Sequence, residues 1–193
     1  MKGYWRKGRL PDMNEETLGA AAPIPEGFEL GPATTVRREI DASAVKVWEL
    51  ISTPGHLTRC HPFCASNDVE RWPGVGAIDR IVYFSGLELH REFTHWDEGL
   101  GFQLEIGPPG SRTARVVWVL TGIDDDRCAL SISVIPYLNS ELSGAKKRAY
   151  EQLVFGRSIE TYLQSVVQGI EYCVTTGEKV QANQFGKHPI YSK

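Results

Sequence analysis

The run from Leu87 to Asp97 carries the side chains best suited to chemistry on a bound molecule. Arg91 and His95 stand four residues apart in a segment that alternates as a strand does. Leu87, Leu89, Arg91, Phe93 and His95 therefore share one face, and Glu88, His90, Glu92 and Thr94 share the other. An imidazole titrates near neutral pH and can relay a proton, while a guanidinium can hold a developing enolate, so together they would equip a site for acid–base work on a carbonyl. The competing account pairs Arg91 with Glu105 or another acid near a pocket rim and leaves His95 half exposed at its strand end.

Other chemistry-bearing residues point to less. His56, Cys60, His61 and Cys64 combine imidazole and thiol, which suit zinc. They contain no Cys-x-x-Cys knuckle and Pro62 interrupts them, so no metal site is expected, and His61 and Phe63 read as packing or pocket-rim residues. Gly74-Val75-Gly76 lacks the third glycine of a dinucleotide fingerprint and precedes a strand, which makes it a turn. Neither a Gly-x-Ser-x-Gly elbow nor a Walker-type loop occurs, and no cofactor is expected. Asp124-Asp125-Asp126 reads as a solvated hairpin tip.

The elements that must position these residues follow from hydrophobic periodicity. Residues 1–33 are broken repeatedly by proline, at Pro11, Pro23, Pro25 and Pro32, and read as an extended arm. From Thr34 a strand alternates Val36, Arg38 and Ile40 against Thr35, Arg37 and Glu39. Ser43 is suited to cap a short helix containing Val47, Trp48, Leu50 and Ile51, and a second helical turn runs from His56 to Cys60. Six further strands follow with turn signals between them, which predicts an antiparallel meander. The period then becomes helical, with Leu153, Phe155, Ile159, Leu163, Val166, Val167, Ile170 and Val174 forming one apolar stripe, and Gly177 stands just beyond its end. Residues 176–193 are polar and read as an extended tail. A long sheet with one apolar face needs a plug, and this helix is the element available to supply it. The expected fold is α+β: a seven-stranded curved antiparallel sheet around a long C-terminal helix, with two short helices after the first strand.

Composition narrows the function classes. In 193 residues, 21 Lys and Arg face 24 Asp and Glu, so the chain lacks the basic excess that attracts phosphate backbones, and nucleic acid is not an expected partner. No apolar run approaches a membrane span and no signal-peptide core is visible, so a cytoplasmic location is expected, with the four cysteines reduced.

Several local patterns, added to this element order, resemble the START-like superfamily with its helix-grip fold, to which polyketide cyclase and dehydrase-like proteins belong. They are Gly74-Val75-Gly76-Ala77 opening a strand, Ser85-Gly86-Leu87 after it, and Arg91-Glu92-Phe93-Thr94-His95-Trp96-Asp97 at a strand end. The resemblance spans residues 34–175 and implies a cavity between sheet and helix. Aligned on Trp96-Asp97, Arg91 falls where relatives often place an inward glutamate, which implies a cation on the cavity wall. The aromatics Tyr83, Trp118, Phe155 and Tyr162 would serve core and pocket together.

Three readings stand. The first is a binding protein for a hydrophobic small molecule, a lipid, sterol or polyketide-like compound with a carboxylate or carbonyl end. Its wall would comprise Ile81, Tyr83, Leu87, Leu89, Phe93, Phe102, Leu104, Trp118, Phe155, Ile159 and Leu163, with Arg91 and His95 orienting the polar end. The second is a cyclase, aromatase or dehydratase using Arg91 and His95. The third is a homodimer clasped through the terminal arms, with Tyr4, Trp5, Phe185 and Tyr191 as contacts.

Overall fold

The computed structural model describes residues 22–141, 144 and 157–193. Its elements run β1 (Phe28–Leu30), β2 (Thr34–Ile40), α1 (Ala44–Ile51), α2 (Leu57–Cys60), β3 (Cys64–Arg71), β4 (Ile78–Tyr83), β5 (Glu88–Asp97), β6 (Gly101–Gly107), β7 (Ala114–Gly122), β8 (Cys128–Asn139) and α3 (Arg157–Thr176). The expected N-cap forms, the Ser43 side chain accepting from the Lys46 N–H. Turn chemistry makes each neighbour in sequence a neighbour in space, so β3 to β8 pair in consecutive antiparallel order.

β2 returns to pair with β8 from Cys128 to Val134. An eighth strand then continues along the same edge, β1 pairing Phe28, Glu29 and Leu30 with Asn139, Leu138 and Tyr137. The expected count of seven is thereby corrected. Three residues between Gly27 and Gly31 are too few to show an alternating pattern, and β1 exists because the long β8 offers it open backbone groups.

The helix α3 packs into the sheet against β2, β8 and both short helices. Its buried stripe comprises Ile159, Leu163, Val166, Val167 and Ile170, as the periodicity predicts, with Cys173 buried beside an only partly buried Val174, while Leu153 and Phe155 lie outside the described residues. One position fixes how closely it approaches α2: a Cβ on Gly169 would stand 2.2 Å from the Cys60 carbonyl oxygen, so only glycine fits there. Gly177 ends the helix with φ of 75° and donates its N–H to the Cys173 carbonyl at 3.0 Å, a left-handed C-terminal cap. Among the described residues no helix is long and apolar enough to cross a membrane.

The C-terminal segment departs from the expected extended tail. It folds back beneath α2, the Val180 N–H donating to the Arg59 carbonyl and the Asn183 N–H to that of Pro62, and it buries Val180, His188 and Tyr191. Three anchors spread through a polar sequence have no period to betray them. Phe185 and Tyr191, named above as contacts for a second subunit, pack on their own domain, against Tyr172 and against Tyr83 and Tyr162 respectively.

Candidate functional site

The concave face of the sheet is divided. At one end Trp48, Trp72, Phe93, Trp96 and Phe102 fill the space, with ring centroids 4.9 Å apart for Trp72–Phe93, 5.1 Å for Phe93–Phe102 and 5.4 Å for the stacked Trp96–Phe102. At the other end α3 stands off the sheet and leaves a cavity of about 110 Å³. Its wall is drawn from β4 to β8, α2, α3 and the C-terminal segment, and most of it is apolar.

Of the residues expected on this wall, Ile81, Tyr83, Leu89, Arg91, Leu104, Trp118, Ile159 and Leu163 are there. Leu87, Phe93, His95 and Phe102 are not, and Phe155 lies outside the described residues. Leu87 sits at the β4–β5 turn and packs on the cluster that includes Leu57, Phe63 and Tyr191 without reaching the cavity. Phe93 and Phe102 belong to the aromatic end. His95 is displaced by a β-bulge: Phe93 pairs with Leu104 but His95 pairs with Gln103, so Thr94 is an extra residue on β5 and every later side chain changes face. Trp96 thereby turns inward to stack on Phe102, and His95 turns outward to stand 3.7 Å from Asp97. Arg91 and His95 do not converge.

Arg91 instead finds an acid directly across the β4–β5 ladder. Its Nε donates to Asp79 Oδ1 at 2.7 Å and its Nη2 to Oδ2 at 2.5 Å, a bidentate pair with both side chains buried. Burial works against ionisation of Asp79, but the charge of Arg91 and hydrogen bonds from Arg91 and Asn67 outweigh it and hold the carboxyl below its usual value. The expected partner Glu105 is on the opposite face, because Leu104 and Ile106 flanking it point into the cavity. There it accepts from Arg115 Nε at 2.9 Å and from the Tyr137 hydroxyl at 2.6 Å. The register that joins Asp79 to Arg91 was readable, since a tight turn setting Tyr83 against Leu87 also sets Ile81 against Leu89 and Asp79 against Arg91.

Lining the same cavity as Arg91 is a hydrogen-bonded trio. The Phe63 backbone N–H donates to His61 Nδ1 at 3.2 Å, His61 Nε2 stands 2.9 Å from the Tyr162 hydroxyl, and that hydroxyl stands 3.0 Å from the one on Tyr83. Burial, helped by the charge of Arg91, lowers the His61 pKa to about 3, so the ring is neutral. Burial likewise pushes the Tyr83 and Tyr162 phenols up, and both stay protonated. Tyr191 closes this side, its ring 4.4 Å from that of Tyr162 and 4.6 Å from that of Tyr83. Its aromatic ring marked Tyr162 and sequence chemistry marked His61, but nothing local signalled that they meet or that Tyr191 joins them.

His56, Cys60 and Cys64 look elsewhere. His56 donates from Nδ1 to the Thr53 carbonyl at 3.0 Å, and its buried Nε2 has no partner among the described residues. Cys60 Sγ reaches the His56 carbonyl and Cys64 Sγ that of Ser66. Among the described residues no three His, Cys, Asp or Glu side chains converge as metal ligands do.

Comparison with known proteins agrees with this architecture. The family model described as polyketide cyclase / dehydrase and lipid transport matches residues 32–166. Norcoclaurine synthase from Thalictrum flavum, a point mutant in complex with a transition-state analogue, is similar at 15% identity and a TM-score of 0.59, with 78% of this chain and 97% of that one covered. A conserved protein from Geobacillus kaustophilus is 18% identical with a TM-score of 0.56, covering 76% of this chain and 97% of that one. DynU16, a protein of the dynemicin biosynthetic locus, is 16% identical with a TM-score of 0.54, covering 77% of this chain and 49% of that one. Identities this low speak for the fold alone. No curated protein matches the chain.

Proposed function

Because the chain belongs to the polyketide cyclase / dehydrase and lipid transport family, we propose that it binds a compact apolar molecule in the cavity between α3 and the sheet. The observation that carries this reading is an apolar hollow left open in a concave face whose other half is packed with aromatic rings. Protein interiors are ordinarily filled, and a gap lined by apolar side chains forfeits contacts that a ligand would restore. At about 110 Å³ the hollow is nearer to the roughly 150 Å³ that holds benzene in an engineered core than to the roughly 300–1,000 Å³ of drug-sized sites. That size favours a molecule of about one ring over a sterol or a long-chain lipid.

The family description covers both chemistry and carriage, and the geometry favours carriage. A catalytic pair of Arg91 and His95 has no support, since Asp79 holds the first and the bulge turns the second outward. A ligand that fills the hollow should raise the melting temperature by an amount that grows with the logarithm of its concentration once that exceeds Kd. Thermal shift with single-ring hydrocarbons and ketones, alongside native mass spectrometry of the purified protein, tests the reading. A shift of several degrees with ring-sized probes is expected; no shift with any probe and no co-purified molecule would overturn it.

A further inference from the structure

The polar groups of the cavity hold one hydroxyl proton more than they can use among themselves. His61 accepts from the Phe63 N–H at Nδ1, so its own proton is on Nε2 and is directed at the Tyr162 oxygen. Two phenolic protons then remain for a single Tyr83–Tyr162 contact. Whichever tyrosine donates across that contact, the other O–H has no acceptor among the described residues, and both side chains line the cavity. A buried donor left unmatched is costly, which makes the spare hydroxyl a demand for an acceptor.

Charge decides what kind of acceptor. Among the described residues the full charges on this wall are Arg91 and its partner Asp79, which balance, and the Glu105–Arg115 pair on the opposite face of the sheet balances as well. His61 is neutral and so are the tyrosines. A carboxylate brought here would be stripped of water and met by a guanidinium already committed to Asp79, leaving one buried negative charge uncompensated. A carbonyl oxygen has no such penalty. It can accept from the spare hydroxyl and from the N–H groups of Arg91 beyond the two that Asp79 takes.

We propose that the cavity selects a neutral molecule of about one ring that carries a ketone, aldehyde or ester carbonyl, held by the unpaired hydroxyl of the Tyr83–Tyr162 pair. The proposal rests on the reading of this cavity as a ligand site, and it separates the two polar ends, carboxylate and carbonyl, that the sequence left together.

Three probes of matched size test it: acetophenone, cumene and benzoate, titrated at neutral pH against the intact chain and its His61→Phe/Tyr83→Phe/Tyr162→Phe variant, in which His61 is replaced too because its Nε2–H would otherwise be freed to donate in place of the lost hydroxyls. In the intact chain the carbonyl stretch of bound acetophenone should fall below its frequency in an apolar solvent, and benzoate should bind at least about tenfold more weakly than acetophenone. In the triple variant the ratio of acetophenone to cumene affinity should drop about tenfold, the worth of one hydrogen bond. Each single variant, Tyr83→Phe or Tyr162→Phe, keeps one unused phenolic proton and should hold that ratio within about threefold. An unshifted carbonyl stretch, equal binding of benzoate, or parallel loss of acetophenone and cumene in the triple variant would overturn the selection while leaving the cavity a ligand site. Failure of all three probes to bind the intact chain would overturn the site itself. Should the triple variant not fold, the infrared shift and the benzoate comparison in the intact chain still decide.

Discussion

The two ends of the concave face are built from the same strands and come out opposite in character. At the aromatic end β5 contributes Phe93 and, past the bulge, Trp96, which interlock with Trp48, Trp72 and Phe102 until no space remains. At the other end the same strand contributes Leu89 and Arg91, and α3 answers with Ile159, Tyr162 and Leu163, leaving a hollow. One extra residue, Thr94, adds Trp96 to the filled end and takes His95 from the concave face, because it reverses which side chains face inward past Phe93. The filled end supplies stability, and the hollow end gives up some of it to keep a site.

The largest effect should come from emptying the filled end. Phe102→Ala removes a buried ring that touches Trp48, Phe93, Trp96 and Trp118, and should destabilise by about 4 kcal/mol in a denaturant titration. A cost below about 2 kcal/mol would mean that this end is less tightly filled than its ring distances imply.

Breaking the ion pair at the hollow end comes next. Asp79→Ala strands a buried guanidinium and should cost about 3 kcal/mol. If instead the variant is nearly as stable as the parent, water already reaches Arg91 and the wall is wetter than described.

Acid should act on both ends. The pKa values of His56, beside Trp72 and Trp118, and of His61, in the cavity wall, are each lowered from 6.5 to about 3, chiefly by burial. A depressed histidine binds its proton in the unfolded chain and refuses it in the folded one, so stability is complete above pH 6.5 and is lost as pH falls toward 3. At pH 5 the loss is about 2 kcal/mol per histidine. The lowered Asp79 acts in the same direction at lower pH. Chemical denaturation at pH 7.5 and pH 5 measures the sum, and His61→Gln should remove about half of the difference.

The smallest effect sharpens the contrast most directly. Ala114→Val adds two carbons into the hollow and should cost under about 1 kcal/mol while weakening ring-sized ligands. Ala77→Val at the filled end, beside Phe93, adds a comparable volume where none is free and should cost about 1–3 kcal/mol. Equal costs at the two ends would erase the distinction between them.

Much of this was legible from the chain. The meander from β3 to β8, the cap at Ser43, the apolar stripe of α3 and eight of the wall residues follow from local periodicity, since burial on one face repeats every second residue in a strand and every third or fourth in a helix. Extending the same parity by one step would also have found Ile106. The misses share a cause. His95 was placed inward by unbroken alternation, and a bulge leaves no mark in side-chain pattern alone. Tyr191 and Val180 are single anchors without a period, and β1 is too short to have one.

By itself the sequence determined the order and type of the long elements and the faces they would bury, because those depend on neighbours a few residues apart. That His61, Tyr83 and Tyr162 share one chain of hydrogen bonds and that Tyr191 closes the cavity over them were decided only when the chain folded. These hydrogen bonds join residues 79 and 101 positions apart, where no local rule of spacing operates and packing alone selects the partner.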